Sequence, residues 1–231
     1  MSISTEVKYD KSDTADIVRM ALKPTGTAVE RVGRIINSPS MLVRCPRATV
    51  LSAMGTESDL ETESKARGTS LHYALQREHF LVENEMAYEA IVCHIDLILN
   101  VPVEIFTTMI GADATPSAFP LKAAQLMTYI YVGYKMGYFL KTDGDLLIFH
   151  MFPRGQKPKL ESIRLHPTIE QLEKNFANVK YNRQQLKRWY DSGDIPDMNP
   201  TQTPEFWECR KCPHYNFCYT DIVTIGDVSV I

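Results

Sequence analysis

The sequence predicts a single mixed α/β domain of the α+β kind with helical additions, on three observations. Hydrophobic residues make up 44% of a 231-residue chain, enough for a sizeable core. The middle of the chain alternates apolar and polar residues at the period of a strand, while a later stretch repeats apolar residues at the period of a helix. Helices come first, followed by two strands, a helix, a hairpin and a long helix, so both element types must share one core.

Residues 1–24 are polar apart from Ile17, Val18, Met20 and Leu22, which predicts a peripheral arm with one short amphipathic helix stopped by Pro24. Thr27 can cap a helix carrying Val29, Val32, Ile35 and Ile36. Ser38-Pro39-Ser40 breaks it and starts a second helix that contains Cys45 and runs toward Met54 and Gly55. An acidic loop from Thr56 to Ser64 is followed by a helix from Lys65 to Phe80, with Leu71, Ala74 and Leu75 on one side and His72 projecting away from them.

From Ala87 to Leu99 the alternation predicts one strand, with Ile91, Cys93, Ile95, Leu97 and Leu99 on one face and His94 and Asp96 on the other. Asn100 turns the chain into a second strand, Val101 to Ile110, which sets Val103 and Ile105 against Glu104, Phe106 and Thr108. Gly111 to Ala118 reads as a loop, and Pro120 suits the first turn of a helix reaching Gly137, on which Lys122, Gln125 and Tyr129 share a face. Asp143-Gly144 signals a tight turn between Tyr138–Lys141 and Leu146–Phe152. Thr168 to Tyr190 opens with a Thr-x-x-Gln capping box, repeats Ile169, Leu172, Phe176, Val179 and Leu186 at helical spacing, and closes before Gly193. The expected organisation is an arm (1–24), one domain (25–218) and a tail (219–231).

The net charge of -3 gives no overall basic bias, but it hides an asymmetry. Residues 57–104 carry ten acids and three bases, net -7, and residues 135–188 carry eleven bases and five acids, net +6. Such a chain can hold a divalent cation at one place and a polyanion at another. No apolar run is long enough for a membrane span, and the first residues lack a basic leader and an apolar core, so an intracellular, cytoplasmic location without a membrane partner is expected. Five cysteines in that setting read as metal ligands or free thiols.

Cys209, Cys212 and Cys218 stand in the run CRKCPHYNFC, where a Cys-x2-Cys pair lets two sulfurs grip one metal centre. Tetrahedral zinc and an iron-sulfur cluster both require a fourth ligand. Cys45, in a polar stretch between Arg44 and Pro46, is better placed than Cys93 on the apolar face of a strand, and His214 is a local alternative. A second set comprises His72 on a helix, Asp96 and Glu104 on consecutive strands, and Gln125 and Tyr129 on a helix. Singly, each has an ordinary structural role. Together they form an ordered pattern.

That pattern resembles the RecB-like nucleases of the PD-(D/E)XK superfamily, and most closely the CRISPR-associated Cas-four exonucleases, whose accessory role is in spacer acquisition. It is carried by Cys45 in RCPR, His72 in GTSLH, Asp96 in HIDLI, Glu104 in PVEIF, Gln125 and Tyr129 in QLMTY, and the cysteine triplet. The resemblance implies a restriction-endonuclease-like core, with a 4Fe-4S cluster (or 2Fe-2S) held by Cys45, Cys209, Cys212 and Cys218. It also implies a magnesium or manganese site made by His72, Asp96, Glu104 and the carbonyl of Ile105. The implied activity is exonucleolytic cleavage of single-stranded DNA or duplex ends, with DNA and CRISPR integrase proteins as partners. Gln125 and Tyr129 would orient DNA or the attacking water, and Lys187 and Arg188 would contact phosphates.

One position departs from the pattern. The lysine expected two residues after Glu104 is Phe106, which cannot attract a phosphate or assist deprotonation of water. Either Lys122 enters the site from the helix in its place, or the chain is a catalytically impaired relative that grips DNA ends or a protein partner. A zinc-stabilised module whose acids lie on its surface is the remaining alternative.

Overall fold

A computed structural model describes residues 7–12, 37–54, 84–108, 115–150 and 159–197, together with Cys209, Cys212, His214, Tyr215 and residues 217–219. The expected helices after Thr27 and from Lys65 to Phe80, the acidic loop and His72 lie outside the described residues. The strands are β1 (Lys8–Lys11), β2 (Asn84–Tyr88), β3 (Ile91–Ile95), β4 (Leu97–Ile98), β5 (Pro102–Thr108), β6 (Gly144–His150) and β7 (Lys159–His166). The helices are α1 (Pro39–Leu42), α2 (Pro46–Ala53), α3 (Pro120–Lys135) and α4 (Ile169–Ser192).

The fold is α+β, built on a mixed five-stranded sheet in the order β1-β7-β6-β5-β4, with β2 and β3 as a separate antiparallel pair. Only β5 and β6 run parallel, in register from Val103 opposite Asp145 to Thr108 opposite His150, and α3 is the crossover between them. Lys8–Lys11 of the N-terminal arm forms the exposed edge strand β1 against β7.

Both faces of the parallel pair are buried, which suits the apolar run Leu146–Phe149 of β6 and that of β5, broken only by Glu104 between Val103 and Phe106. Phe106, Leu146 and Ile148 join the large core that includes α3, α4 and the β2–β3 pair. Val103, Ile105, Leu147 and Phe149 form a second cluster on the opposite face with Leu97. Helix α3 is apolar nearly all round, buried without interruption from Ala123 to Gly133, as its position between sheet and α4 requires. Gly133 admits the ring of Phe139, whose atoms would lie 2.1 Å from any Cβ placed there. The capping box at Thr168 and Gln171 and the left-handed Gly193 bound α4 as expected.

Three local expectations are corrected. The strand expected from Ala87 to Leu99 is three elements: β2 turns into β3 through Glu89 and Ala90, at φ 47 and 62, and the chain bends again at Asp96. The turn escapes sequence reading because neither residue is a glycine or asparagine, the usual occupants of left-handed hairpin positions. The bend moves Leu97 to the second cluster, whereas Ile91, Cys93 and Ile95 stay in the first. The hairpin expected around Asp143-Gly144 is absent among the described residues, because Phe139 folds back over Gly133 and residues 136–143 become a connection. Cys45 lies before α2 rather than inside a helix: Pro46 disfavours helical geometry at the preceding residue, and Cys45 adopts ψ 120 as the N-cap.

Candidate functional site

Asp96 occupies the bend between β3 and β4, where β4 pairs only Leu97 with Val103 and Ile98 with Pro102. Its side chain, buried, accepts the backbone N–H of Ile105 through Oδ2 at 2.9 Å, so the carboxylate takes over where the strand ladder ends. Glu104 sits one residue earlier on β5 and faces α3, at 1% exposure. Two carboxylates placed so deep in an apolar core are costly unless hydrogen bonds or a cation compensate them.

Helix α3 supplies the compensation for Glu104. Lys122 donates to Oε1 at 2.6 Å and Gln125 donates to Oε2 at 3.0 Å. The Gln125 amide also donates to the Tyr129 hydroxyl at 2.7 Å, and its oxygen accepts from Lys122 at 3.2 Å. The i, i+3, i+7 spacing that puts these three residues on one helical face therefore aims them at a single strand residue. Burial, and then the negative charges of Glu104 and Asp96, raise the Tyr129 phenol well above its ordinary pKa, so it stays protonated as a neutral hydrogen-bonding group.

Phe106 belongs to the wall of this pocket. Its ring packs edge-on against Phe119 at 4.9 Å between centroids and lies 5.8 Å from the Lys122 ammonium. Phe119 and Asn175 were not legible as site residues. Phe119 is the N-cap of α3, and Asn175 donates to the Ala124 carbonyl at 3.1 Å and to Thr128 Oγ1 at 3.0 Å, holding the helix on either side of Gln125. The available signals were an aromatic immediately before Pro120 and an amide among the apolar positions of α4.

The cysteine-bearing segment lies against α2. Ser52 Oγ and His214 Nε2 are 3.0 Å apart, and Arg47 lies over the Phe217 ring at 5.6 Å. Burial raises the Cys212 thiol pKa, and the neighbouring Cys218 and Cys45 raise it further. Cys209 hydrogen-bonds Tyr219, whose phenol is raised chiefly by burial. Cys45 and Cys218 are thus within electrostatic reach of Cys212, whereas Cys93 is wholly buried in the main core, where burial alone raises its thiol strongly.

Among the described residues no group of three His, Cys, Asp or Glu side chains is placed to hold a metal ion, so the thiols do not form a closed cage. Their sulfur donors nevertheless suit a thiolate-bound metal, which would stabilise the deprotonated form that burial otherwise disfavours. Likewise the carboxylates and the Ile105 carbonyl are hard donors of the kind that suit magnesium or manganese.

Lys187 and Arg188 are exposed on α4, and Lys187 pairs with Asp191 at 2.5 Å. The excess of bases between residues 135 and 188 is not a continuous basic face. Lys135, Lys159, Arg164 and Lys180 pair with Glu173, Glu161, Asp145 and Glu89 respectively. Among the described residues no helix is long and apolar enough to cross a membrane.

No protein-family model matches the chain. No curated protein matches it either. A crystal structure of SSO0001 is similar to it over 90% of this chain and 96% of that one, with 18% sequence identity and a TM-score of 0.46, a likeness too slight to transfer fold or function.

Proposed function

We propose that this chain is a metal-dependent DNA exonuclease of the PD-(D/E)XK type that carries an iron-sulfur cluster. It would act on single strands or duplex ends in CRISPR spacer acquisition or related DNA processing, with CRISPR integrase proteins as partners in that setting. The observation that carries the reading is the closed network of Glu104, Lys122, Gln125 and Tyr129 beside Asp96. Buried polar networks of this kind are expensive, and they concentrate at functional sites.

Asp96, Glu104 and the Ile105 carbonyl, with His72, would hold magnesium or manganese, which lowers the pKa of a bound water and offsets charge on the scissile phosphate. Gln125 and Tyr129 keep Glu104 oriented. Lys122, whose side chain is about a third exposed, brings the positive charge that the family pattern places at position 106 and could meet a phosphate there. Cys45, Cys209, Cys212 and Cys218 would hold the cluster, joining α2 to the C-terminal segment.

Cleavage of end-labelled single-stranded and duplex DNA with manganese or magnesium, beside an Asp96→Ala control, tests the activity. An absorption spectrum of anaerobically purified protein tests the cluster. Phe106 favours a second reading, a catalytically impaired DNA-end-binding relative. Intact binding without cleavage in either metal would select it.

A further inference from the structure

Helix α4 runs from Lys174 to Tyr190 without a single acidic residue, while Lys174, Lys180, Arg183, Lys187 and Arg188 give it five bases. The structure sorts these five. Lys180 and Lys187 pair with Glu89 and Asp191, and Arg183 donates to the Asn37 side chain at 2.9 Å. Lys174 and Arg188 are exposed and have no ion pair among the described residues. They lie seven residues either side of Tyr181, so all three share one helical face with a drift of about 20° per heptad. Tyr181 is 61% exposed, unusually open for a ring of its size. Asn178 stands exposed between Lys174 and Tyr181.

We infer that this stripe of α4 is a binding surface for single-stranded nucleic acid, with Lys174 and Arg188 contacting phosphates and Tyr181 stacking on a base. The inference deepens the DNA reading above by naming the substrate form and the residues that grip it. Lys174 and Arg188 are 14 residues apart, about 21 Å along the helix axis. That is roughly six nucleotides of a strand at 3.4 Å spacing. A tyrosine midway between two unpaired cations suits a chain that alternates charge with exposed aromatic faces, whereas bases inside a duplex are already stacked.

The test is binding of a fluorescein-labelled oligothymidine and of a duplex of equal length to the full-length protein, in EDTA so that neither is cut, across a salt series. Lys174→Ala combined with Arg188→Ala should weaken oligothymidine binding and make its salt dependence shallower by about 1.4 in the log–log slope, two phosphate contacts at about 0.7 each. Tyr181→Ala should weaken it about tenfold while Tyr181→Phe stays near wild type, since the ring and not the hydroxyl stacks. Duplex binding should respond far less to either Tyr181 substitution. All three side chains are at the surface, so circular dichroism should be unchanged.

Wild-type protein that does not bind oligothymidine, or variants that bind it as wild type does, would overturn the inference. So would an unaffected Tyr181→Ala protein from which polyglutamate displaces the strand as readily as DNA does, because that result describes a surface for acidic proteins. Cleavage measured in parallel separates the two readings. Weakened binding in an enzyme that never cuts would sink the nuclease and spare the stripe, while unchanged binding in an active nuclease would do the reverse.

Discussion

Lys122 Nζ lies 2.6 Å from Glu104 Oε1, joining a helix to a strand across 18 residues of sequence. The helix ammonium thus faces the carboxylate whose own strand carries phenylalanine where the family pattern has lysine. Phe106 and Phe119 wall the Lys122 side of the pocket with aromatic rings, which suits a cation held at a ring face.

Removing that ammonium should disable chemistry more than folding. Lys122→Ala is expected to lower DNA cleavage about 100-fold or more, the usual cost of losing a positioned acid-base or charge-stabilising group. Stability should fall by about 2 kcal/mol, because Glu104 loses a charged hydrogen bond in a buried setting. Phe106→Lys in the same background should restore part of the activity, since residues i+2 on a strand face the same way. Single-turnover cleavage and urea denaturation measure the two effects separately. Full activity in Lys122→Ala would remove the lysine from the mechanism.

The cysteines should divide cleanly. Cys45→Ala or Cys218→Ala is expected to lose iron, brown colour and solubility together, because metal binding at such a site contributes to folding. Cys93→Ala, inside the main core, should keep its iron. Iron analysis and visible absorption of anaerobic preparations decide it, and stoichiometric zinc without iron would count against the cluster.

His166 should make β1 sensitive to pH. Its ring reaches Asp143 at 3.0 Å and Asp10 of β1 at 3.2 Å. Burial lowers its pKa, but the hydrogen bonds it donates to Asp143 and then to Asp10 outweigh that and raise it above the ordinary 6.5. A raised folded-state pKa means the contribution is full below pH 6.5 and disappears as pH rises through the folded value. The ring is 36% exposed, so the effect should be about 0.5 kcal/mol after solvent screening. Amide exchange at Lys8–Lys11 should therefore quicken from pH 6 toward pH 8 beyond the intrinsic base-catalysed increase. In His166→Gln that excess should vanish.

Ala90→Gly should stabilise the protein. Ala90 holds φ 62 in the β2–β3 turn, where a Cβ is unfavourable by about 1–2 kcal/mol. Glycine's greater unfolded entropy offsets roughly half of that, leaving a gain of about 0.5–1 kcal/mol. A higher urea midpoint with an unchanged slope is the expected result, and a lower midpoint would show that the turn is not strained.

The sequence alone determined what depends on neighbours within a turn or two of chain. The Thr168–Gln171 box and Gly193 set the bounds of α4, the alternation along β5 put Glu104 and Ile105 on opposite faces, and the spacing of α3 put Lys122, Gln125 and Tyr129 on one side. Period and capping are local properties, and local hydrogen-bond geometry enforces them. The tertiary structure decided which faces meet. The Lys122–Glu104 pair follows from the β5–α3–β6 crossover, and the proximity of Cys45 to Cys212 follows from the C-terminal segment lying on α2. Likewise, which bases of α4 remain unpaired depends on Glu89 arriving from a distant hairpin. Such pairings are selected by closing long loops around a shared core, a cost and a gain that no short window of sequence contains.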